Sequence, residues 1–143
     1  MKYNLSELHS ILSEAMKTEA ESVDLESATG APLMLLRKMF RSEADNSISA
    51  AVVPSSPGVS LRTIQGSSLS KPDNSITENY YFPYYIVMPK TDYLHQNAVL
   101  MFHGLNEKWW GKYLPWAYVL AQSLYRPVIL FPMAFHMDRA PAE

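Results

Sequence analysis

Two short apolar runs with a helical stretch between them constrain the fold of this chain more than any other feature. "NAVLMF", residues 97–102, and "RPVILFP", 126–132, lack the alternation of a strand with one wet face and read as strands covered on both faces. Between them, "WWGKYLPWAYVLAQSLY" carries Trp116, Val119, Leu120, Ser123 and Leu124 at helical spacing. Pro115 suits the first turn of that helix, where its missing N–H is no loss. The spacing makes Trp116 a core residue. Strand, helix and strand over 97–132 describe a βαβ unit, whose crossover is right-handed in nearly all proteins. The expected fold class is α/β.

Upstream, Leu5, Leu8, Leu12, Ala15, Met16 and Val23 recur at helical intervals, and Asn4 with Glu7 forms a capping pair, so an amphipathic helix is predicted over 5–23. "ESATGAP" breaks it at Gly30 and Pro32. "LMLLRKMF", 33–40, is apolar on nearly every side except at Arg37 and Lys38, which suits a short buried helix. From 47 the character changes. "SISAAVVP" and "VSLRTIQ" read as two strands or a hairpin, and 66–79 as a polar surface loop. "YYFPYYIVMP" is a strand by composition, with Tyr80, Phe82, Tyr84, Ile86 and Met88 on one face and Tyr81, Tyr85 and Val87 on the other. Pro83 points to a place near a sheet edge. The organisation predicted is an N-terminal helical segment, 1–46, followed by an α/β unit, 47–143.

Bulk properties exclude several classes of function. Twelve basic against fourteen acidic residues leave a net charge of −2, with no clustered basic run to neutralise phosphates, so a nucleic-acid partner is not expected. The absence of cysteine removes a disulfide framework, a thiolate zinc site and a cysteine nucleophile together. The first residues lack the uninterrupted apolar core of a signal peptide, and the longest apolar runs are far too short to span a bilayer. A cytoplasmic protein with no membrane partner is the expectation.

One stretch has a chemical vocabulary. "LMFHGLNEKWW" runs a strand into His103 and Gly104 at the carboxyl end, where ligands gather in parallel sheets. A glycine there turns the chain and brings backbone amides close to a bound group. Such an amide, aimed at a developing oxyanion, lowers the barrier to acyl transfer. A local turn with a hydrogen-bonded histidine accounts for the same two residues.

In this order of elements, the apolar strand, His-Gly, the Trp-bearing loop, the helix and the strand "VILF" resemble the opening of the α/β-hydrolase superfamily over 97–131, and "YYFPYYIVMPK" resembles the antiparallel strand that precedes it there. The resemblance implies a partial α/β-hydrolase-type sheet preceded by a helical and β-strand extension. It implies an oxyanion hole formed by His103, Gly104 and Leu105, in which Leu105 donates its backbone N–H and His103 supports the loop. It implies a small-molecule acyl substrate and no cofactor. Members of the superfamily place a Gly-x-Ser-x-Gly elbow on a later strand, and none occurs in these 143 residues. The expectation is the N-terminal part of an ester, amide or acyl hydrolase, inactive as this chain alone.

Asn106, Trp109, Phe135, His136 and Arg139 are the candidates for lining a cleft beside that loop. His136 and Asp138 are too few for a closed metal site, so no metal is expected. Adjacent Trp109 and Trp110 cannot both face inward. The alternative to a hydrolase is a non-catalytic binding or assembly module that keeps the scaffold, with an exposed sheet edge through which two copies would pair.

Overall fold

A computed structural model of the chain describes residues 4–41, 77–79, 81–91, 97–133 and 136–140. The strands expected over 47–65, and most of the loop expected over 66–79, lie outside the described residues; Thr77–Asn79 form a single 3-10 turn.

The first helix, α1, spans Leu5–Lys17. Asn4 caps it as its composition requires: its side chain accepts from the Glu7 N–H at 2.9 Å, and the Glu7 carboxylate accepts from the Asn4 N–H at 3.3 Å. Leu8 and Leu12 are buried. The helix stops short of Val23, because Thr18 folds its hydroxyl back onto the Ala15 carbonyl and Glu19 takes a left-handed φ of 53°. The chain re-enters as a strand, β1, Ser22–Asp24, and then makes one helical turn, α2, Glu26–Thr29.

The segment expected as a buried helix is a strand. β2, Leu33–Arg41, pairs antiparallel with β3, Tyr81–Pro89, along its full length, from Leu33 opposite Pro89 to Arg41 opposite Tyr81. Leu, Met, Arg and Lys favour helix locally, but nine residues paired with a β-rich neighbour outweigh a preference worth a few tenths of a kcal/mol each. The sides of β3 fall as its alternation predicts. Tyr85 and Val87 join the core under the helices, while Phe82, Tyr84, Ile86 and Met88 form a second buried cluster with Leu36, Phe40 and Ile129.

β4, Val99–Met101, the helix α3, Leu114–Leu124, and β5, Val128–Leu130, make the βαβ unit, with β4 and β5 parallel neighbours. The described sheet is five-stranded and mixed, in the order β1-β2-β3-β5-β4. This is an α/β architecture. β3 therefore lies inside the sheet, against the edge position that Pro83 suggested. The proline is tolerated because β5 pairs only Tyr85 to Val87, so Pro83 lies beyond its reach.

Two expectations of burial fail for one reason each. β4 is the outer strand and is wet on one face: Leu100 is 49% and Phe102 52% exposed. Trp116 is 65% exposed, because α3 buries Leu114, Ala117, Tyr118 and Ala121 instead. Two alanines on that face let the helix backbone settle close to the sheet, which the spacing of the large residues did not reveal. Pro115 does lie in the first turn. Among the described residues, no helix is long and apolar enough to cross a membrane.

Candidate functional site

The parallel strands β4 and β5 end side by side, so the loops that follow them meet. His103 joins those loops. Its Nε2 accepts from the Met133 N–H at 3.0 Å, which leaves Nδ1 as the protonated nitrogen, within 2.8 Å of the Gly104 carbonyl oxygen. Its ring is 4% exposed, edge-on to Trp110 with centroids 5.4 Å apart, and 5.5 Å from the His136 ring. With both nitrogens engaged, His103 has no lone pair with which to take a proton from a nucleophile. It holds the loop.

The Gly104 N–H donates to the Tyr113 hydroxyl at 2.7 Å. A Cβ on Gly104 would come within 3.3 Å of that oxygen, so the close approach depends on the missing side chain. The next amide is that of Leu105, and no described residue accepts from it. Leu105 is 77% exposed, at the start of a turn that Asn106 completes with a left-handed φ of 62°. Of the three residues of the expected oxyanion loop, His103 and Gly104 are committed to internal bonds and Leu105 presents a donor outward.

The residues expected to line a cleft are dispersed. Trp109 leaves the loop toward α1, where it meets His9 edge-on at 6.0 Å and covers Gly111 so closely that a Cβ there would lie 2.1 Å from its ring. Trp110, its neighbour, is buried, so the pair splits as their adjacency requires. Arg139 turns to the other face of the sheet. Its Nη1 donates to the Pro132 carbonyl at 3.1 Å and Nη2 to that of Asn79 at 3.5 Å, with the guanidinium 4.5 Å above the Phe82 ring. Burial pulls its pKa below the ordinary guanidinium range, and it ties the turn Met137–Arg139 to Phe82 on β3. Phe135 lies outside the described residues. Among the described members of this group, His136 has its ring beside that of His103.

Sequence reasoning passed over Arg37, Tyr85 and Trp110. Reading 33–40 as a helix hid the register that sets Arg37 across from Tyr85. Burial pushes the Tyr85 hydroxyl above its usual range, with Asp138 adding to the effect and Arg37 opposing it. Burial likewise raises the Asp138 carboxyl above 3.8, against the pull of Arg37 and of the Trp110 indole. Among the described residues, no three His, Asp or Glu side chains converge as metal ligands.

The geometry amounts to one backbone donor, that of Leu105, without an acceptor among the described residues, on a loop locked by a buried histidine. Comparison with curated proteins and with solved structures finds no match. A family model does match, over residues 3–143, and the chain belongs to that family, described as a family of unknown function, DUF6051.

Proposed function

We propose that this chain forms the N-terminal part of an α/β-hydrolase-like protein acting on an ester, amide or other acyl substrate. The observation that carries this reading is the strand order. β5 inserts between β4 and the antiparallel β3, with β4 parallel to β5 and running directly into His-Gly. This agrees with the order of elements on which the resemblance rests, an antiparallel strand followed by a strand–helix–strand unit with His-Gly after its first strand. The role of the loop follows. His103 fixes the backbone, the Gly104 amide is occupied by Tyr113, and Leu105 N–H is the donor left for an oxyanion. A donor of this kind is worth roughly 3 kcal/mol in the transition state. The serine, its base and the acid come from outside these 143 residues, so this chain alone performs no turnover.

The test is labelling with a fluorophosphonate of the protein captured from its source cells by an antibody to residues 1–24. A labelled species heavier than 16.2 kDa is expected. Its absence at every mass sinks the catalytic reading. The isolated chain should not hydrolyse activated short-chain esters; turnover that Leu105→Pro abolishes would overturn the claim that the site is incomplete.

A non-catalytic assembly module is the second reading, favoured by the uncharged outer strand with Leu100 and Phe102 exposed. Pairing of two copies through β4 would double the mass seen by light scattering, and Leu100→Lys would return it to that of one chain.

A further inference from the structure

The loops after β4 and β5 are joined by a side chain that exists in two charge states. His103 Nδ1–H donates to the Gly104 carbonyl at 2.8 Å, so Nε2 keeps the lone pair and accepts from the Met133 N–H at 3.0 Å. That bond runs from the end of one parallel strand to the end of its neighbour. On the β4 side, the Tyr113 hydroxyl accepts from the Gly104 N–H just before α3. On the β5 side, the Met133 carbonyl accepts from the His136 N–H at 3.3 Å, and the His136 ring stands 5.5 Å from that of His103. The turn that follows, Met137–Arg139, seats Met137 against the core under the helices. Met133 is where the two loops meet.

A proton taken up by His103 goes to Nε2, and this converts the acceptor into a donor aimed at another donor. Two N–H groups with nitrogens 3.0 Å apart repel, and the Met133 N–H loses its acceptor. The surroundings of the ring offer the charge no partner. It is 4% exposed, with the Trp110 indole edge-on at 5.4 Å and a second titratable imidazole, His136, on its other flank. No carboxylate pairs with it: Glu107 in the same loop pairs with Lys112, and the turn after β5 carries Asp138 and Arg139 without an ion pair to the ring. We propose that the His103–Met133 hydrogen bond is an acid-released latch, closed while the imidazole is neutral and opened when the ring takes up a proton. Opening lets the ring reach water, which hydrates its charge, and frees the segment 104–106 that carries the Leu105 N–H. The open state holds one proton more than the closed state, so acid favours opening. A charge on His136 acts in the same direction, by repulsion between the two rings. The latch concerns how this loop is held and does not rest on the acyl-hydrolase reading of what the loop does.

Backbone hydrogen exchange and the NMR shifts of the imidazole nitrogens, recorded on the full chain from about pH 8 to about pH 5, test the latch. Protection of the Met133 amide, corrected for the intrinsic pH dependence of exchange, should fall by about tenfold or more as His103 protonates. The Val87 amide, inside β3, should keep its protection over the same range. In His103→Gln, whose side-chain oxygen accepts without ever taking a proton, the protection of Met133 should stay level. A merely structural role for His103 predicts no such difference between the two proteins. Level protection of Met133 in wild type while the His103 ring protonates overturns the proposal, as does a ring that stays neutral down to about pH 5. An equal fall in folded His103→Gln overturns it too, and so does a loss of protection at Val87 in step with Met133, which marks global unfolding. If His103→Gln does not fold, the wild-type comparison of Met133 with Val87 decides the matter.

Discussion

His103 shows how one side chain converts sequence into a loop geometry. A buried imidazole that accepts at one nitrogen and donates at the other ties the ends of two parallel strands. His103→Ala leaves the Met133 N–H without its acceptor and opens a cavity beside Trp110, and should cost about 2–4 kcal/mol in urea unfolding. Gly111 illustrates the opposite case, a residue defined by what lies on it. Gly111→Ala drives its methyl into the Trp109 ring. Because Trp109 is 46% exposed, the ring can swing into solvent, so the expected loss is only about 1 kcal/mol, with a red-shifted tryptophan emission. In a Trp109→Ala background the same substitution should cost almost nothing, a coupling that a double-mutant cycle measures.

At the scale of elements, β3 organises the molecule. It pairs with β2 on one side and β5 on the other, and its two faces feed two separate buried clusters. Leu130 on β5 is fully buried against the helix layer, and Leu130→Ala should cost about 2–5 kcal/mol by thermal or urea unfolding. The reading of β2 as a helix failed because Leu, Met, Arg and Lys carry no strand preference of their own. Its register with β3 is a non-local fact, set by residues forty or more positions away. β3 itself was legible, since alternating Tyr, Phe, Ile and Val state both the element and its faces. The rotation of α3 was not. Large residues mark a helix, but Ala117 and Ala121 mark the line along which it packs.

The whole sheet has two unlike edges. The β1 side is dressed with charge: Lys38 pairs with Glu21 at 2.8 Å, and Lys90 with Asp24 and Glu26 at 2.5 and 2.8 Å. Such pairs discourage edge-to-edge association more than they stabilise the fold. Hydrogen bonds from Lys90 and the Glu26 amide lower the Asp24 pKa below 3.8, so that contribution is present above 3.8 and is lost as pH falls through the lowered value. The Asp24 and Glu26 carboxylates raise Lys90 above 10.5, so its contribution is complete below 10.5 and is lost as pH rises through the raised value. Lys90→Met should therefore lower the melting temperature slightly between these limits and converge with wild type outside them. Asp138 has the opposite sign. Its raised pKa means that ionisation opposes folding, so Asp138→Asn should be more stable than wild type at neutral pH, with the difference vanishing below 3.8.

What the sequence determined by itself is local. The Asn4–Glu7 cap, the two faces of β3, the βαβ unit and the turn at His103-Gly104 each depend on residues within one element or its immediate neighbours, and periodicity and capping chemistry record such contacts directly. Tertiary structure alone decided which strand β2 joins, which side of α3 is buried, and that Arg37 stands across from Tyr85. Those outcomes depend on pairings between distant segments, where burial and hydrogen-bond satisfaction across the sheet outweigh the few tenths of a kcal/mol that each residue's local preference supplies.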